Sequence, residues 1–357
     1  MWRPGWFRWC CDPGCRSSPD GSSPGGSCWT SISNSGEAAG ATRPGSASCP
    51  GSKIPSLPPR PLTRFAPSPT GYLHLGHVAN ALFVWGTARA LGGRVLLRLE
   101  DHDRGRCRPE YEAAILEDLE WLGLEPDAGE PASFRAGPSP YRQSDCGAEY
   151  EAALARLSRS AEVYHCDCSR KDIAAEADPF NNEARYRGHC RRRGLAAGPG
   201  RGTRVWLEPG AERFLDLFLG EQAQDPADQC GDLLLRDRLG NWTYQFSVVV
   251  DDLRQGIDLV IRGRDLLDST GRQIRLTRLL GRERPPVYLH HPLIHRPDGA
   301  KLSKAGNDTG IRELRRAGIT PASVLGQAAF RTGLLERPTA VDPRDLAGLF
   351  SGRSFPA

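Results

Sequence analysis

The sequence predicts an α/β protein built on a doubly wound parallel sheet. From residue 61 onward, strand-like segments alternate with helix-like segments, and strands separated by helices pair in parallel through right-handed crossovers. The chain has 357 residues, of which 39% are hydrophobic and 25% are charged, so it is long enough for two or three globular domains. Because ligands bind at the carboxyl ends of the strands in such sheets, we expect a site there.

The first two strand–helix units carry this prediction. They comprise a strand at 62–66, a helix at 77–91, a strand at 94–99 and an amphipathic helix at 109–122 that begins with proline. Small and apolar residues cover most faces of the first helix, so we expect it to be buried. A loop rich in turn residues follows the first strand, and the acidic pair Glu100–Asp101 follows the second. Both therefore fall at the predicted site.

Later segments extend the same pattern. The early part of Trp242–Asp252 predicts another strand, and Leu259–Ile261 predicts a strand that ends next to Arg262. Arg262 should therefore also lie at a carboxyl edge of the sheet. Two short helices are expected at 311–317 and 321–333.

Residues 1–60 have a different composition from the remainder of the chain. Half of them are Gly, Pro or Ser, and a segment of this kind cannot bury enough apolar surface to fold. We expect a disordered tail or the product of an upstream start codon. The segment lacks the unbroken apolar stretch of a secretory signal, and its acidic residues disfavour a transit peptide, so a cytoplasmic location is expected. The predicted organisation is a tail at 1–60, the two halves of the main domain at 61–160 and 231–305, an insertion at 161–230 and a helical end at 306–357.

The composition also limits the function. The longest apolar runs, such as residues 246–250, are far too short to cross a bilayer, so no membrane partner is expected. The formal net charge of +4 is too small to indicate a nucleic-acid partner by itself. Seven arginines lie between residues 185 and 204. They could bind RNA phosphates, although a solvated face is an equal interpretation.

Two histidines flank a glycine at the start of the first predicted helix. His74, Gly76 and His77 follow a proline-rich loop, and a helix N-terminus offers N–H groups and a positive dipole end to a phosphate. The histidines could donate hydrogen bonds to a phosphoryl group, and Gly76 would let a flat ring approach the backbone. An accidental turn sequence is the alternative, because four residues are a weak signal.

Two of the four lysines in the chain lie three residues apart. Lys301 and Lys304 follow Asp298-Gly299-Ala300, and a mobile pair of cations suits the charge that develops on a transferring phosphate. A solvated surface loop is the alternative. The combination of this pair with the two histidines is far more specific than either motif.

Three cysteines form a candidate zinc site. Cys166 and Cys168 are separated by one residue, and Cys190 follows downstream. Three thiolates and one further donor would complete a closed tetrahedral zinc site that stabilises a loop-rich insertion. The residues alone leave Tyr186 and His189 as equal candidates for the fourth ligand, and reduced cysteines without metal are the alternative. A structural role is favoured, because three thiolates leave little room for a substrate.

Three segments, in order, resemble class I glutamyl-tRNA synthetases. They are Arg64–His77 (RFAPSPTGYLHLGH), Leu97–Asp101 (LRLED) and Lys301–Lys304 (KLSK). Within this group the chain is most similar to the short paralogues, the glutamyl-queuosine tRNA(Asp) synthetases, over residues 62–335. The resemblance implies a class I Rossmann-like catalytic domain with a small zinc-binding insertion and a short helical C-terminal part.

The resemblance also implies roles for individual residues. ATP would be bound by His74, Gly76, His77 and Lys304, and charge on the phosphates would be stabilised by both histidines together with Lys301 and Lys304. The zinc ligands would be Cys166, Cys168, Tyr186 and Cys190.

Glutamate would be held by eight residues, according to the same resemblance. They are Arg64, Phe65, Ala66, Pro67, Ser68, Glu100, Tyr244 and Arg262. Independent chemistry agrees, because a dicarboxylic amino acid needs a bidentate cation for its side-chain carboxylate and an acceptor for its ammonium group. Tyr244 alone could equally be an ordinary core aromatic residue.

The function implied by the resemblance is a two-step ligase reaction. Mg-ATP would activate glutamate as glutamyl-adenylate, and a hydroxyl of the queuosine base of tRNA(Asp) would then accept the glutamate. The 53 residues after Lys304 are expected to be too few for a separate anticodon-binding domain. Three alternatives stay open: a truncated glutamyl-tRNA synthetase that charges tRNA(Glu), a related enzyme that activates another carboxylate, and a non-catalytic paralogue that binds RNA or a partner. We expect a monomer with one structural zinc.

Overall fold

The structure is a computed structural model that describes residues 57–174, 185–295 and 310–352. All of these residues belong to one compact unit, Ser52–Ala357. Most of the predicted tail and the predicted lysine motif, Lys301–Lys304, lie outside the described residues.

The described part of the chain contains strands and helices that alternate along most of its length. The strands are β1 Leu62–Phe65, β2 Arg94–Leu97, β3 Val163–Cys166, β4 Gly202–Val205, β5 Glu212–Asp216, β6 Gly220–Gln224, β7 Leu233–Arg236, β8 Leu259–Gly263 and β9 Val287–His291. The α-helices are α1 Leu75–Ala90, α2 Pro109–Leu122, α3 Pro131–Ala136, α4 Gly147–Ser160, α5 Arg170–Ala174, α6 Pro226–Gln229, α7 Tyr244–Arg254, α8 Thr270–Leu279, α9 Ile311–Arg316 and α10 Pro321–Arg331. Short 3-10 helices lie at Gln143–Asp145, Arg264–Ser269 and Pro343–Leu349.

The central sheet consists of two groups of strands that meet side by side. β1 and β2 pair in parallel, with Leu62 opposite Arg94. β8, β9 and β5 are also parallel neighbours, and β6 pairs with β5 as an antiparallel edge strand. The groups meet at β1 and β8, where the N–H of Asp258 donates to the carbonyl of Leu62 over 2.9 Å. The prediction of an α/β fold with a parallel sheet is confirmed.

Helix α1 lies at the centre of the main core. Ten of its sixteen residues are buried, so nearly every face is covered, as its small and apolar residues predict. It packs against β1 and β8 and also against α10. The helix begins at a capping box in which the side chains of His74 and His77 accept backbone N–H groups, and such boxes satisfy donors that a helix start leaves unpaired.

A separate antiparallel sheet takes two strands, β3 and β4, from the predicted insertion at 161–230 and a third, β7, from just beyond it. Its central strand, β4, pairs with β3 on one side and with β7 on the other. Cys166 is the last residue of β3 and lies opposite Gly202. The apolar side of this sheet contributes Val205 and Leu235 to a second core that also contains Phe246 of α7. The insertion is therefore anchored to the helix that carries Tyr244.

The strand predicted for the early part of Trp242–Asp252 is wrong. The segment forms helix α7, which begins at Tyr244, and Trp242 makes a single β-bridge to Arg236. Valines favour strands as isolated residues, but Phe246, Val249 and Val250 share one helical face that is buried in the second core. That burial outweighs the intrinsic propensity of the valines.

The other predicted elements agree with the structure to within a few residues. Helix α2 begins at Pro109 and ends at Leu122, and the next residue, Gly123, has a φ of 69° that favours glycine. Both expected C-terminal helices are present as α9 and α10. Among the described helices, none combines the length and the apolar character needed to cross a membrane.

Candidate active site and metal centre

A cavity of about 510 Å³ opens at the carboxyl ends of the parallel strands. Arg64 and Phe65 end β1, Arg262 and Gly263 end β8, and His291 ends β9. The eleven described residues predicted to contact ATP or glutamate all line this cavity. Parallel strands bring their carboxyl ends to one edge of the sheet, so segments far apart in sequence share one site.

An ion network around Arg98 lies behind the cavity wall and holds two of its residues, Arg64 and Glu100. The side chain of Arg98 is fully buried and donates to Glu100 at 2.9 Å and to Asp252 at 2.7 Å. Asp252 also accepts from Nε of Arg64 at 3.0 Å. Burial raises the pKa of Asp252, but Arg64 and Arg98 outweigh it, so the pKa lies below its usual value. The network therefore fixes the side chains of Glu100 and Arg64 through shared charged partners.

Arg262 has a different kind of environment. Its guanidinium donates to Nε2 of His290 at 3.0 Å, to the amide oxygen of Gln273 at 2.7 Å and to the hydroxyl of Thr270 at 2.8 Å. These partners occupy three of the five N–H groups of an arginine. Within the described ranges, Arg262 forms no ion pair, and its two remaining N–H groups have no acceptor. A buried guanidinium of this kind can bind a ligand carboxylate through two hydrogen bonds.

Tyr244 is the first residue of α7 and also lines the cavity. Burial raises the pKa of its hydroxyl and Glu100 raises it further, whereas Arg262 and Arg64 oppose the shift. The hydroxyl therefore stays protonated at neutral pH and can donate a hydrogen bond to a bound ligand.

The two histidines of the first motif fix their own tautomers. Nδ1 of His77 accepts the N–H of His74, and Nδ1 of His74 accepts the N–H of Gly76, both at 3.1 Å. Because a nitrogen that accepts carries no proton, each neutral ring holds its proton on Nε2. Gly76 is required for this packing, since a Cβ there would lie 2.9 Å from Cε1 of His74. The motif can thus present two N–H donors to a phosphate.

Several residues of the cavity wall were not predicted. They are Ala79, Asn80, Ile261, Gly263, Asp265, Leu266, His291, Pro292, Leu293 and Ile294. His291 stacks on Phe83 with ring centroids 4.8 Å apart, and its Nε2 lies 3.1 Å from Oδ1 of Asn80. Burial lowers the pKa of His291 to about 4, so the ring is neutral. The strand-like Val287–His291 followed by a proline was the available signal.

The chain returns to the histidine motif after the lysine motif. Lys301 and Lys304 lie outside the described residues, but Gly310 forms a β-bridge with His74. The N–H of Ile311 also donates to the carbonyl of Leu73 at 2.9 Å. The start of α9 is therefore attached directly beside the two histidines.

The three predicted cysteines form a compact cluster in the insertion. The Sγ atoms of Cys166, Cys168 and Cys190 all lie within 4.8 Å of one another. The hydroxyl of Tyr186 lies 3.4 Å from Sγ of Cys166 and accepts the N–H of Cys190 at 2.9 Å. Among the described histidines and carboxylates, none joins this group of ligand atoms, so His189 is not part of the cluster.

These distances fit a tetrahedral zinc site. Zn–S bonds of about 2.3 Å place two tetrahedral thiolates about 3.8 Å apart, close to the 3.5 Å between the sulfurs of Cys168 and Cys190. The backbone of Tyr186 packs tightly against Gly231. Gly231 has a φ of 68°, and a Cβ there would lie 1.8 Å from the carbonyl oxygen of Tyr186, so any other residue would displace Tyr186. The guanidinium of Arg204 lies 3.8 Å from the centroid of the Tyr186 ring. It supplies positive charge beside Cys166, one of three thiols that would bind a metal as thiolates.

Members of the predicted arginine cluster line a second, open cavity of about 570 Å³. Arg191 stacks over Trp206 at 4.1 Å from the ring centroid. Arg185 pairs with Asp228 at 2.9 Å, so part of the positive charge is neutralised locally. The surface combines cations with an aromatic ring, which suits a polyanion with stacked bases.

Comparison with known proteins identifies the class to which this fold and site belong. The catalytic domain of the class I tRNA synthetases (E and Q) matches residues 62–335. The structure is similar to a glutamate-tRNA synthetase from Elizabethkingia anophelis, with a TM-score of 0.66 and 27% sequence identity. The match covers 81% of this chain and 65% of that chain. A class I synthetase catalytic domain is therefore the architecture that holds the cavity.

Relatives of similar length make the assignment more specific. The glutamyl-Q tRNA(Asp) synthetase of Symbiobacterium thermophilum is 40% identical over 304 residues, which cover 82% of this chain and 93% of that protein. A protein of the same name from Ralstonia nicotianae is 43% identical, over 76% of this chain and 84% of its own length. Glutamate–tRNA ligase 2 of Syntrophus aciditrophicus is 39% identical over 76% of this chain but 57% of its own length. The chain belongs to the class I tRNA synthetase family, and the predicted resemblance is confirmed.

Proposed function

We propose that this protein uses Mg-ATP to activate L-glutamate and then transfers the glutamate to the queuosine base of tRNA(Asp). The observation that carries the first step is Arg262, whose buried guanidinium has two N–H groups that no described residue accepts. A carboxylate is the ligand that such a group favours. The names of the two relatives of similar length support tRNA(Asp) as the acceptor.

The first step is adenylate formation. The α-carboxylate of glutamate attacks the α-phosphate of ATP, which gives glutamyl-adenylate and releases pyrophosphate. The Nε2–H groups of His74 and His77 donate to the phosphates, and Lys301 and Lys304 balance the charge that develops on them. Mg²⁺ enters with ATP as part of the substrate. Glu100 accepts hydrogen bonds from the ammonium group of glutamate, and Arg262 pairs with the side-chain carboxylate of glutamate.

The second step needs no nucleophile from the protein. A hydroxyl of the modified base attacks the carbonyl carbon of the adenylate, forms an ester and releases AMP. The arginine surface beside Trp206 lies in the insertion and contributes cations that bind the phosphates of the RNA.

Pyrophosphate exchange with a panel of amino acids tests the first step. We expect exchange with glutamate in the absence of tRNA, and loss of that exchange in Arg262→Gln, which removes the charge but keeps a polar side chain. Arg94→Gln is a matched control, because Arg94 is exposed and lies at the other end of a strand from the cavity. Exchange with a neutral amino acid in preference to glutamate would reject the role given to Arg262.

The acceptor is tested by comparing tRNA(Asp) that contains queuosine with the same tRNA that lacks it. We expect glutamate to be attached to the modified tRNA alone. A glutamate–tRNA ligase is the second candidate, because a protein of that name is 39% identical over 76% of this chain. Exchange that depends strictly on tRNA(Glu), followed by charging of its 3′ end, would favour that candidate.

For the insertion we propose one structural zinc held by Cys166, Cys168, Tyr186 and Cys190. The support is the compact thiol cluster and the position of the Tyr186 hydroxyl beside it. Metal analysis of the purified protein should find about one zinc per chain. Cys190→Ser should lose the metal, and Cys107→Ser, which changes a cysteine outside the cluster, should retain it. A zinc-free protein purified after expression with added zinc would reject the site.

A further inference from the structure

Three buried side chains on adjacent strands form a relay that ends at the cavity. Asp216 is on β5, His290 on β9 and Arg262 on β8, and β9 lies between the other two strands. Nδ1 of His290 lies 2.6 Å from Asp216, and its Nε2 lies 3.0 Å from Nε of Arg262. His290 and Arg262 are also direct neighbours in the strand register. The strand register therefore places His290 beside Arg262, and the side chain of Asp216 contacts the ring from the strand on the other side.

The direction of each hydrogen bond in this relay follows from the arginine. A guanidinium can donate but cannot accept, so Nε2 of His290 must be the acceptor and must carry no proton. The ring therefore carries its proton on Nδ1 and donates it to Asp216. The carboxylate of Asp216 also accepts the N–H groups of Phe218 and Leu219, both at 2.9 Å. These backbone contacts prevent Asp216 from rotating away.

A protonated His290 would disrupt the relay. Its second N–H would then point at an N–H of Arg262, so that two donors and two positive charges would face each other. Burial lowers the pKa of His290, Arg262 and Arg64 lower it further, and Asp216 opposes them, with a net decrease. The neighbouring group from α8, the hydroxyl of Thr270, is uncharged and lies 3.2 Å from Nε2. The neutral ring is thus the form that the surroundings favour.

We infer that His290, oriented by Asp216, is a positioning residue that fixes the guanidinium of Arg262 for a substrate carboxylate and thereby sets the affinity for an acidic amino acid. The inference rests on the proposed activation of glutamate. It assigns roles to two residues that belong to none of the signature motifs. The acceptors of Arg262 are neutral, so they orient the guanidinium while its charge stays available to the substrate. A carboxylate at position 290 would orient it equally well but would compete with the substrate for that charge.

Two substitutions of His290 separate the orienting contact from general packing. The amide of His290→Asn can reach the position of Nδ1 and donate to Asp216, but it provides no acceptor for Arg262. The longer His290→Gln can place its carbonyl near the position of Nε2 and accept from Arg262. We expect His290→Asn to raise the KM for glutamate about tenfold or more, because a hydrogen bond to a charged group is lost. In His290→Gln the increase should be clearly smaller, and the KM for ATP should change little in both.

The outcomes distinguish this inference from the proposed function. If the wild-type protein exchanges pyrophosphate with glutamate but the two variants have the same glutamate KM as each other, the positioning role is wrong and the proposed function stands. If the wild-type protein shows no exchange with glutamate, the proposed function itself fails. Should neither variant fold, Thr270→Val removes a different acceptor of Arg262 at constant volume. A glutamate KM unchanged by that substitution would also overturn the inference.

Discussion

Asp118 provides a direct test of the electrostatics in the main core. This residue of α2 is 1% exposed, and its Oδ2 has no hydrogen-bond partner among the described residues. Burial raises the pKa of its carboxyl to about 7, against the opposing influence of Arg312 and Arg315 on α9. Helix α9 is the first described element after the lysine motif.

The size of the effect follows from the pKa. The ordinary value is 3.8 and the folded value is about 7, a difference of about three units, or about 4 kcal/mol. The folded state holds this proton more tightly than the unfolded state. Stability from this group is therefore present below about pH 4, decreases as the pH rises towards 7, and is lost above that value.

The substitution Asp118→Asn removes the titration and nearly preserves the shape. Urea unfolding should show that the variant becomes more stable relative to wild type as the pH rises from 4 to 8, by up to about 4 kcal/mol. Glu120→Gln, on the same helix, is the control, because Glu120 is about half exposed and pairs with Arg135 at the surface. Its effect should stay below about 1 kcal/mol at every pH. A difference between Asp118→Asn and wild type that does not change with pH would refute the reasoning.

Three further predictions test other parts of the structure. Replacing Arg98 with methionine removes a charged partner from two buried carboxylates, Glu100 and Asp252, and should cost about 3–5 kcal/mol in urea unfolding; a loss below 1 kcal/mol would contradict the network. His291 has a folded pKa of about 4 against an ordinary 6.5. The unfolded chain therefore binds a proton at a higher pH than the folded protein does, and acidification destabilises the fold. In His291→Gln this group no longer titrates, so the variant should lose about 3 kcal/mol less stability than wild type between pH 6.5 and pH 4. Gly231→Ala should be more destabilising than Gly256→Ala. Both glycines have a positive φ, but only at 231 would a Cβ collide with backbone, that of Tyr186. Equal costs in urea unfolding would show that φ strain, about 1–2 kcal/mol, explains both substitutions.

The first strand, the following loop and α1 could be predicted because local signals agree there. A turn-rich loop separates an apolar strand from a helix that is apolar on most faces, and Pro109 marks the start of α2 in the same local way. The convergence of Arg64, Glu100 and Arg262 was predictable from fold class, because strand order places their ends at one edge. Each of the three residues alone is a weak indication of function, and the predicted topology places them in one site.

The parts that could not be predicted depend on tertiary contacts. The valines of α7 favour a strand when considered alone, and only their burial in the second core makes them helical. His290 and Asp216 are 74 residues apart, and no spacing rule connects a histidine to an aspartate on a neighbouring strand. Which of Tyr186 and His189 lies at the thiol cluster could also be found only from the three-dimensional structure, because both residues lie within a few positions of Cys190.

The two sides of the cavity differ in how much change they can tolerate. Glu100 depends directly on Arg98, and Arg64 depends on it through Asp252. A change on that side leaves a buried charge unpaired, and its cost to stability would accompany any change in binding. Arg262 is oriented by neutral groups, so a change there can alter the recognition of a carboxylate without leaving another charge unpaired. We therefore expect selectivity among amino-acid side chains to vary on the Arg262 side, while the Arg98 side stays tied to the stability of the fold.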